Sequence, residues 1–133
     1  MGFVLAGLLL LSIASAFELA ARVGEPAGPL EAADVRLRIQ DPDGSTLYDR
    51  PIHLEPPDVT VLDALLLASG RDGFAVELQE FSFGTMVVGI WGHRSQGMCG
   101  WVYEIDDEPV LVGAAEKTLV DEDVVTWFWA CDG

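Results

Sequence analysis

The sequence predicts an α+β domain, a mixed sheet of about five strands crossed by one helix and preceded by an apolar N-terminal segment. Three observations predict it. Apolar and polar residues alternate around 35–39 and 47–54, a helical period occurs once, at 60–70, and strand-like stretches follow from residue 74 onwards. The 133 residues suit a single domain. A chain of that size buries roughly two-thirds of its unfolded surface, enough for a real core.

The elements follow in order. Phe3 to Ile13 is a nearly unbroken apolar run, and Ala14-Ser15-Ala16 has the small-x-small form of a signal-peptidase site. Residues 1–16 are therefore expected to be a signal peptide, with a retained membrane anchor as the alternative. The 16 uncharged residues from Gly2 to Phe17 fall short of the roughly 20 that span a bilayer. No Lys or Arg precedes the run, and no cysteine follows it to carry a lipid. Residues 17–33, rich in Ala, Gly, Pro and Glu, read as a flexible linker, and residues 34–133 as the folded domain. The expected location is secreted or at the cell surface, with membrane contact only through the N-terminal segment where it is uncut.

Within the domain, Val35, Leu37 and Ile39 alternate with Arg36, Arg38 and Gln40, as in a half-buried strand. Asp41-Pro42-Asp43-Gly44 supplies a turn, and Leu47 to Leu54 returns as the second strand of an antiparallel hairpin. After Pro56-Pro57 the period changes: Val61, Leu62, Leu65, Leu66 and Ser69 form one helical stripe. Thr60 and Asp63 resemble a capping box, with Asp58 as the other candidate cap, and Gly70 fits a left-handed helix end. Strands are expected over 74–83, 85–91, 101–105, 108–112 and 124–130, with 92–100 as a loop. Strand, strand, helix and further strands make the β-grasp plan, in which the final strand inserts beside the first.

Pairing 101–105 with 125–129 antiparallel sets Trp101 opposite Trp129, Tyr103 opposite Trp127 and Ile105 opposite Val125. That register also brings Cys99 to Cys131. These are the only cysteines, and in an exported chain such a pair is expected to form a disulfide.

With 22 acidic against 7 basic residues the formal charge is −15. Such a surface repels phosphates and anionic headgroups, which excludes nucleic acid and lipid surfaces as partners.

Three stretches resemble the transcobalamin-like C-terminal domain. They are Thr60-Val61-Leu62-Asp63-Ala64-Leu65, Gly100-Trp101-Val102-Tyr103, and the closing run from Leu119 to Trp127. The similarity spans roughly residues 34–130. It implies a β-grasp domain of the kind that ends the vitamin B12 carriers, and cobalamin or another corrinoid as a bound ligand. In those carriers a separate helical barrel holds most of the ligand, and no such barrel is expected within these 133 residues. Two positions depart from the family pattern: Asp106-Asp107 replaces Asn-Gly, and Glu122-Asp123 replaces Gly-Asp. A left-handed backbone costs roughly 1–2 kcal/mol at residues other than Gly, so both departures bear on turn geometry.

Candidate functional residues are few. Trp91, Trp101, Trp127, Phe128 and Trp129 are expected to be mostly core, with one or two left to stack on a flat ligand. His93 and Arg94 sit in the glycine-flanked loop between tryptophan-bearing stretches and are expected to supply polar contacts there. The expected ligand site is thus Trp91, His93, Arg94 and Trp101. The acidic turns 106–108 and 121–123 match no calcium-loop spacing and read as hydrated turns, so no metal site is expected. The sequence holds no nucleophile elbow, zinc-protease, P-loop or dinucleotide motif, so no enzyme is expected. The reading is an exported binding module for a corrinoid or other flat small molecule. The competing reading is a structural or adhesion module that binds another protein through its sheet.

Overall fold

A computed structural model describes residues 29–131. The apolar N-terminal segment and most of the linker lie outside the described residues. The period-two pattern becomes β1 (Ala33–Gln40), with Ala33, Val35, Leu37 and Ile39 all buried on one face. It pairs antiparallel with β2 (Thr46–Leu54), which buries Tyr48, Ile52 and Leu54. Asp41 and Asp43 shape the turn between them by accepting from the amides of Asp43 and Ser45 at 2.7 and 2.8 Å.

One helix, α1 (Val61–Asp72), follows. Thr60 is its N-cap, and the capping box with Asp63 is complete: Thr60 Oγ1 accepts from the Asp63 amide, and Asp63 Oδ2 accepts from the Thr60 amide. The helix ends later than its glycine suggested. Gly70 lies inside it, and Gly73 takes the left-handed cap with φ 75°. The buried stripe is also rotated, to Val61, Ala64, Leu65 and Ala68, which leaves Leu66 and Leu67 exposed on the outer side.

The remaining stretches divide between two sheets, where one was expected. β3 (Val76–Phe81), β4 (Gly84–Ile90) and the two-residue β5 (His93–Arg94) form an antiparallel sheet of their own. Part of the expected loop at 92–100 is therefore strand. β6 (Cys99–Ile105), β7 (Glu108–Pro109) and β8 (Val124–Cys131) join the hairpin in a mixed five-stranded sheet of order β2-β1-β8-β6-β7. The expected strand at 108–112 is only its first two residues.

β8 lies parallel to β1 and antiparallel to β6. The register with β6 is the expected one: Trp101 faces Trp129, Tyr103 faces Trp127, Ile105 faces Val125, and a disulfide joins Cys99 to Cys131. Trp101 and Trp129 meet edge to face at 5.5 Å between ring centroids, and Tyr103 and Trp127 at 5.1 Å. Such pairs contribute roughly 0.2–1 kcal/mol each.

Both departures from the glycine pattern keep a left-handed backbone, at φ 52° and 69° for Asp106 and Asp107 and 73° for Glu122. Local hydrogen bonds hold them. Asp106 Oδ1 accepts from the Val124 amide, Asp123 Oδ2 accepts from the Val120 amide, and the Glu122 amide donates to the Asp34 carbonyl. The second of these turns thereby docks onto the start of β1, next to the β1–β8 pair.

The disulfide closes a loop of sequence separation 32, for which the chain-entropy model gives roughly 3–4 kcal/mol. Urea unfolding of a double Cys99→Ser, Cys131→Ser variant is expected to show a loss of that size. An unchanged midpoint would contradict the assignment.

Candidate functional site

A groove opens where the two sheets meet. Its floor is Trp101 and Tyr103 from β6 and Trp127 from β8, all buried, and its walls are the start of β4 and the loop 110–116. The loop is fastened from below: Tyr103 Oη donates to the Val112 carbonyl at 2.6 Å. Burial, and then the nearby Glu116 carboxylate, push the Tyr103 phenol up to about 12, so it stays a neutral donor. The groove measures about 400 Å³, near the lower end of the roughly 300–1,000 Å³ of small-molecule sites.

Its rim is unusually apolar. Phe83 is 69% exposed, Leu111 97%, Val112 47% and Met86 40%. Phe83 stacks on Phe81 at 5.0 Å, which makes the tip of the β3–β4 hairpin an aromatic ledge. Water-facing apolar side chains gathered around one concavity mark an interaction site better than the same residues scattered singly. The indole Nε1 of Trp127 is buried without a hydrogen-bond partner among the described residues.

The four residues expected to form a site are distributed over three surfaces. Trp101 belongs to the groove floor, and its indole donates to the His93 carbonyl at 2.8 Å. Trp91 points the other way. It occupies a left-handed position, φ 56°, in the two-residue turn between β4 and β5, and its ring stacks on Phe74 at 4.5 Å near Tyr48. Left-handed backbone at a bulky residue is costly, and the stacking offsets it. His93 and Arg94 are exposed on β5 and line a shallow polar trough with Asp41, Asp43, Gln96 and Trp129. Arg94 is held by Glu77 at 2.8 Å. In the same trough, hydrogen bonds from Ser45 and Asp41 hold the Asp43 carboxyl down to about 2, and the His93 ring adds a smaller pull.

The groove walls were the part missed in the sequence. Their signal was present in Phe81-Ser82-Phe83 and Leu111-Val112, apolar residues placed in and beside turns, where polar ones are usual.

Other polar clusters read as structural. The Tyr48 hydroxyl donates to Asp72 and accepts from Arg71 at 3.1 Å, clasping the end of α1 to β2. Burial, then the Asp72 bond, raises the Tyr48 phenol, and the Tyr48 bond lowers the Asp72 carboxyl. Among the described residues no group of three or more His, Cys, Asp or Glu side chains is placed to hold a metal ion. Among them, too, no helix is long and apolar enough to cross a membrane.

Two sheets, one helix and an aromatic-floored groove define a small α+β domain. Residues 58–130 match the family described as a domain of unknown function, DUF4430. That is more than half of the chain, and the chain belongs to this family. No curated protein sequence matches it. Among solved structures, it is similar to haptocorrin in complex with Cbi, with TM-score 0.65 and 18% identity over 81% of this chain and 27% of that one. The chain therefore spans about a quarter of the haptocorrin chain. It is also similar to a protein of Ruminococcus gnavus ATCC 29149 provisionally described as metal binding, with TM-score 0.58 and 9% identity over 76% of this chain and 99% of that one. At these identities the likeness is one of fold.

One pH effect follows from the hairpin. His53 Nδ1 meets Asp34 at 2.7 Å and Nε2 meets Glu55 at 2.5 Å, and these bonds, Glu55 first, raise the imidazole above its ordinary value of 6.5. A raised folded value means the pairing stabilises the fold fully below pH 6.5 and is lost as pH rises through the folded value. Unfolding curves across that window are expected to show wild type losing stability with rising pH relative to His53→Gln. Parallel profiles would contradict the pairing.

Proposed function

We propose that this chain is an exported, non-catalytic module of the transcobalamin-like kind, binding a flat, largely apolar small molecule in the groove between its sheets. A corrinoid such as cobalamin is the leading candidate. The observation that carries this reading is the rim of exposed Phe83, Met86, Leu111 and Val112 around a floor of buried Trp101, Tyr103 and Trp127. Aromatic floors suit flat ring systems, and the similarity to a structure of haptocorrin with Cbi supports the ligand class. A groove of about 400 Å³ grips an edge of such a ring and leaves the rest uncovered. Of the residues expected from the sequence, Trp101 takes part, while Trp91, His93 and Arg94 lie on other surfaces. Export is supported by the apolar run Phe3–Ile13 and by the disulfide, which persists in oxidising compartments.

The competing adhesion reading has its own support, because the outer edges of β2 and β3 have no partner strand among the described residues. Titration with dicyanocobinamide, followed by tryptophan fluorescence and visible absorbance, separates the two. Binding is expected, weakened about tenfold by Phe83→Ala or Leu111→Ala, since burying such a side chain is worth roughly 1.5–3 kcal/mol. The circular dichroism of both variants should match wild type. No response up to about 1 mM, an affinity of only about 4 kcal/mol, would overturn the small-molecule reading in favour of adhesion.

A further inference from the structure

We propose that Glu116 sets the charge selectivity of the groove, so that its ligand presents an amide or cationic donor there and carboxylated relatives are turned away. This rests on the groove being the ligand site.

Glu116 stands where the loop after β7 meets the start of β4, and it lines the groove beside Tyr103. Its carboxylate lies between two glycine backbones. Oε2 is 3.4 Å from where a Cβ on Gly84 would be, and Oε1 is 3.4 Å from the corresponding point on Gly113. No side chain therefore stands between the carboxylate and the backbone on either side. Gly84 is required there in any case by its φ of +135°. The nearest phenol, Tyr103, is already committed to the Val112 carbonyl. Among the described residues, no cation pairs with Glu116 and no donor bonds to its carboxylate.

The rest of the lining offers nothing to compensate a negative ligand. It is largely apolar, with Thr85 as the only hydroxyl side chain besides Tyr103 and no Lys or Arg. A ligand carboxylate in the groove would face the exposed Glu116 carboxylate at its rim, and like charges repel. An amide N–H or an ammonium would instead gain a charge-assisted hydrogen bond, roughly twice as strong as a neutral one. The formal charge of −15 acts in the same direction at longer range. Rejection through a single placed charge is a common source of specificity.

The test compares dicyanocobinamide, whose side chains are amides, with cobyrinic acid, whose side chains are carboxylates. It is run at about 0.5 M salt, which screens the net charge beyond about 5 Å and leaves the local contact. Wild type is expected to bind the amide at least about tenfold more tightly. Glu116→Gln should bring the two within about threefold, chiefly by improving the acid, and Glu116→Lys should reverse the order. Equal binding by wild type, or a gap that persists in Glu116→Gln, overturns the role of Glu116 and leaves the groove as the site. Binding of neither probe overturns both.

Discussion

The structure depends on β8 lying between β1 and β6. Val125, Thr126 and Trp127 are buried in succession, so the strand is covered on both faces at its centre, as an interior strand must be. Its parallel contact with β1 joins the two ends of the described chain, and its antiparallel contact with β6 carries the aromatic pairs and the disulfide. A parallel neighbour requires a long crossover, and everything between β1 and β8 in sequence is that connection. The turn at Glu122 is held against Asp34 because the crossover must end beside β1.

The groove follows from this arrangement. β6 presents Trp101 and Tyr103 on the face shared with Trp127, and the β3–β4 hairpin packs over part of that face without covering it. The residues left over are aromatic and rigid, and the loop above them is fastened by Tyr103 through Val112. A site of this kind is preorganised, because its floor is core and its walls are one hairpin and one tied loop.

Much of the fold was legible in the sequence because its signals are local. Alternation at 35–40, the capping box at Thr60 and the 101–129 register each depend on a few neighbouring residues, and each appears where its pattern places it, the strand beginning two residues earlier at Ala33. The helix end and its buried stripe were less legible. Gly70 and Gly73 are equivalent as local signals, and the left-handed cap falls at Gly73, whose amide donates to the Ser69 carbonyl. The division into two sheets was not legible at all, since nothing in the period of 76–90 says which sheet a strand will join. Of the four residues expected to form a site, Trp101 lines the groove, and the other three lie on two other surfaces. Trp91, His93 and Arg94 are close in sequence to Trp101, but the turn at Trp91-Gly92 sends their side chains to different surfaces. Asp106, Asp107 and Glu122 show that side-chain and backbone hydrogen bonds can hold a left-handed turn where glycine is usual.

Amide hydrogen exchange tests the central placement of β8 most directly. The amides of Val125 to Phe128, with those of Leu37 and Ile39 beside them, should exchange only through global unfolding, slower than any in the β3–β4 hairpin. Exchange in β8 as fast as in that hairpin would contradict a strand locked between two neighbours, and with it the floor on which the groove is built.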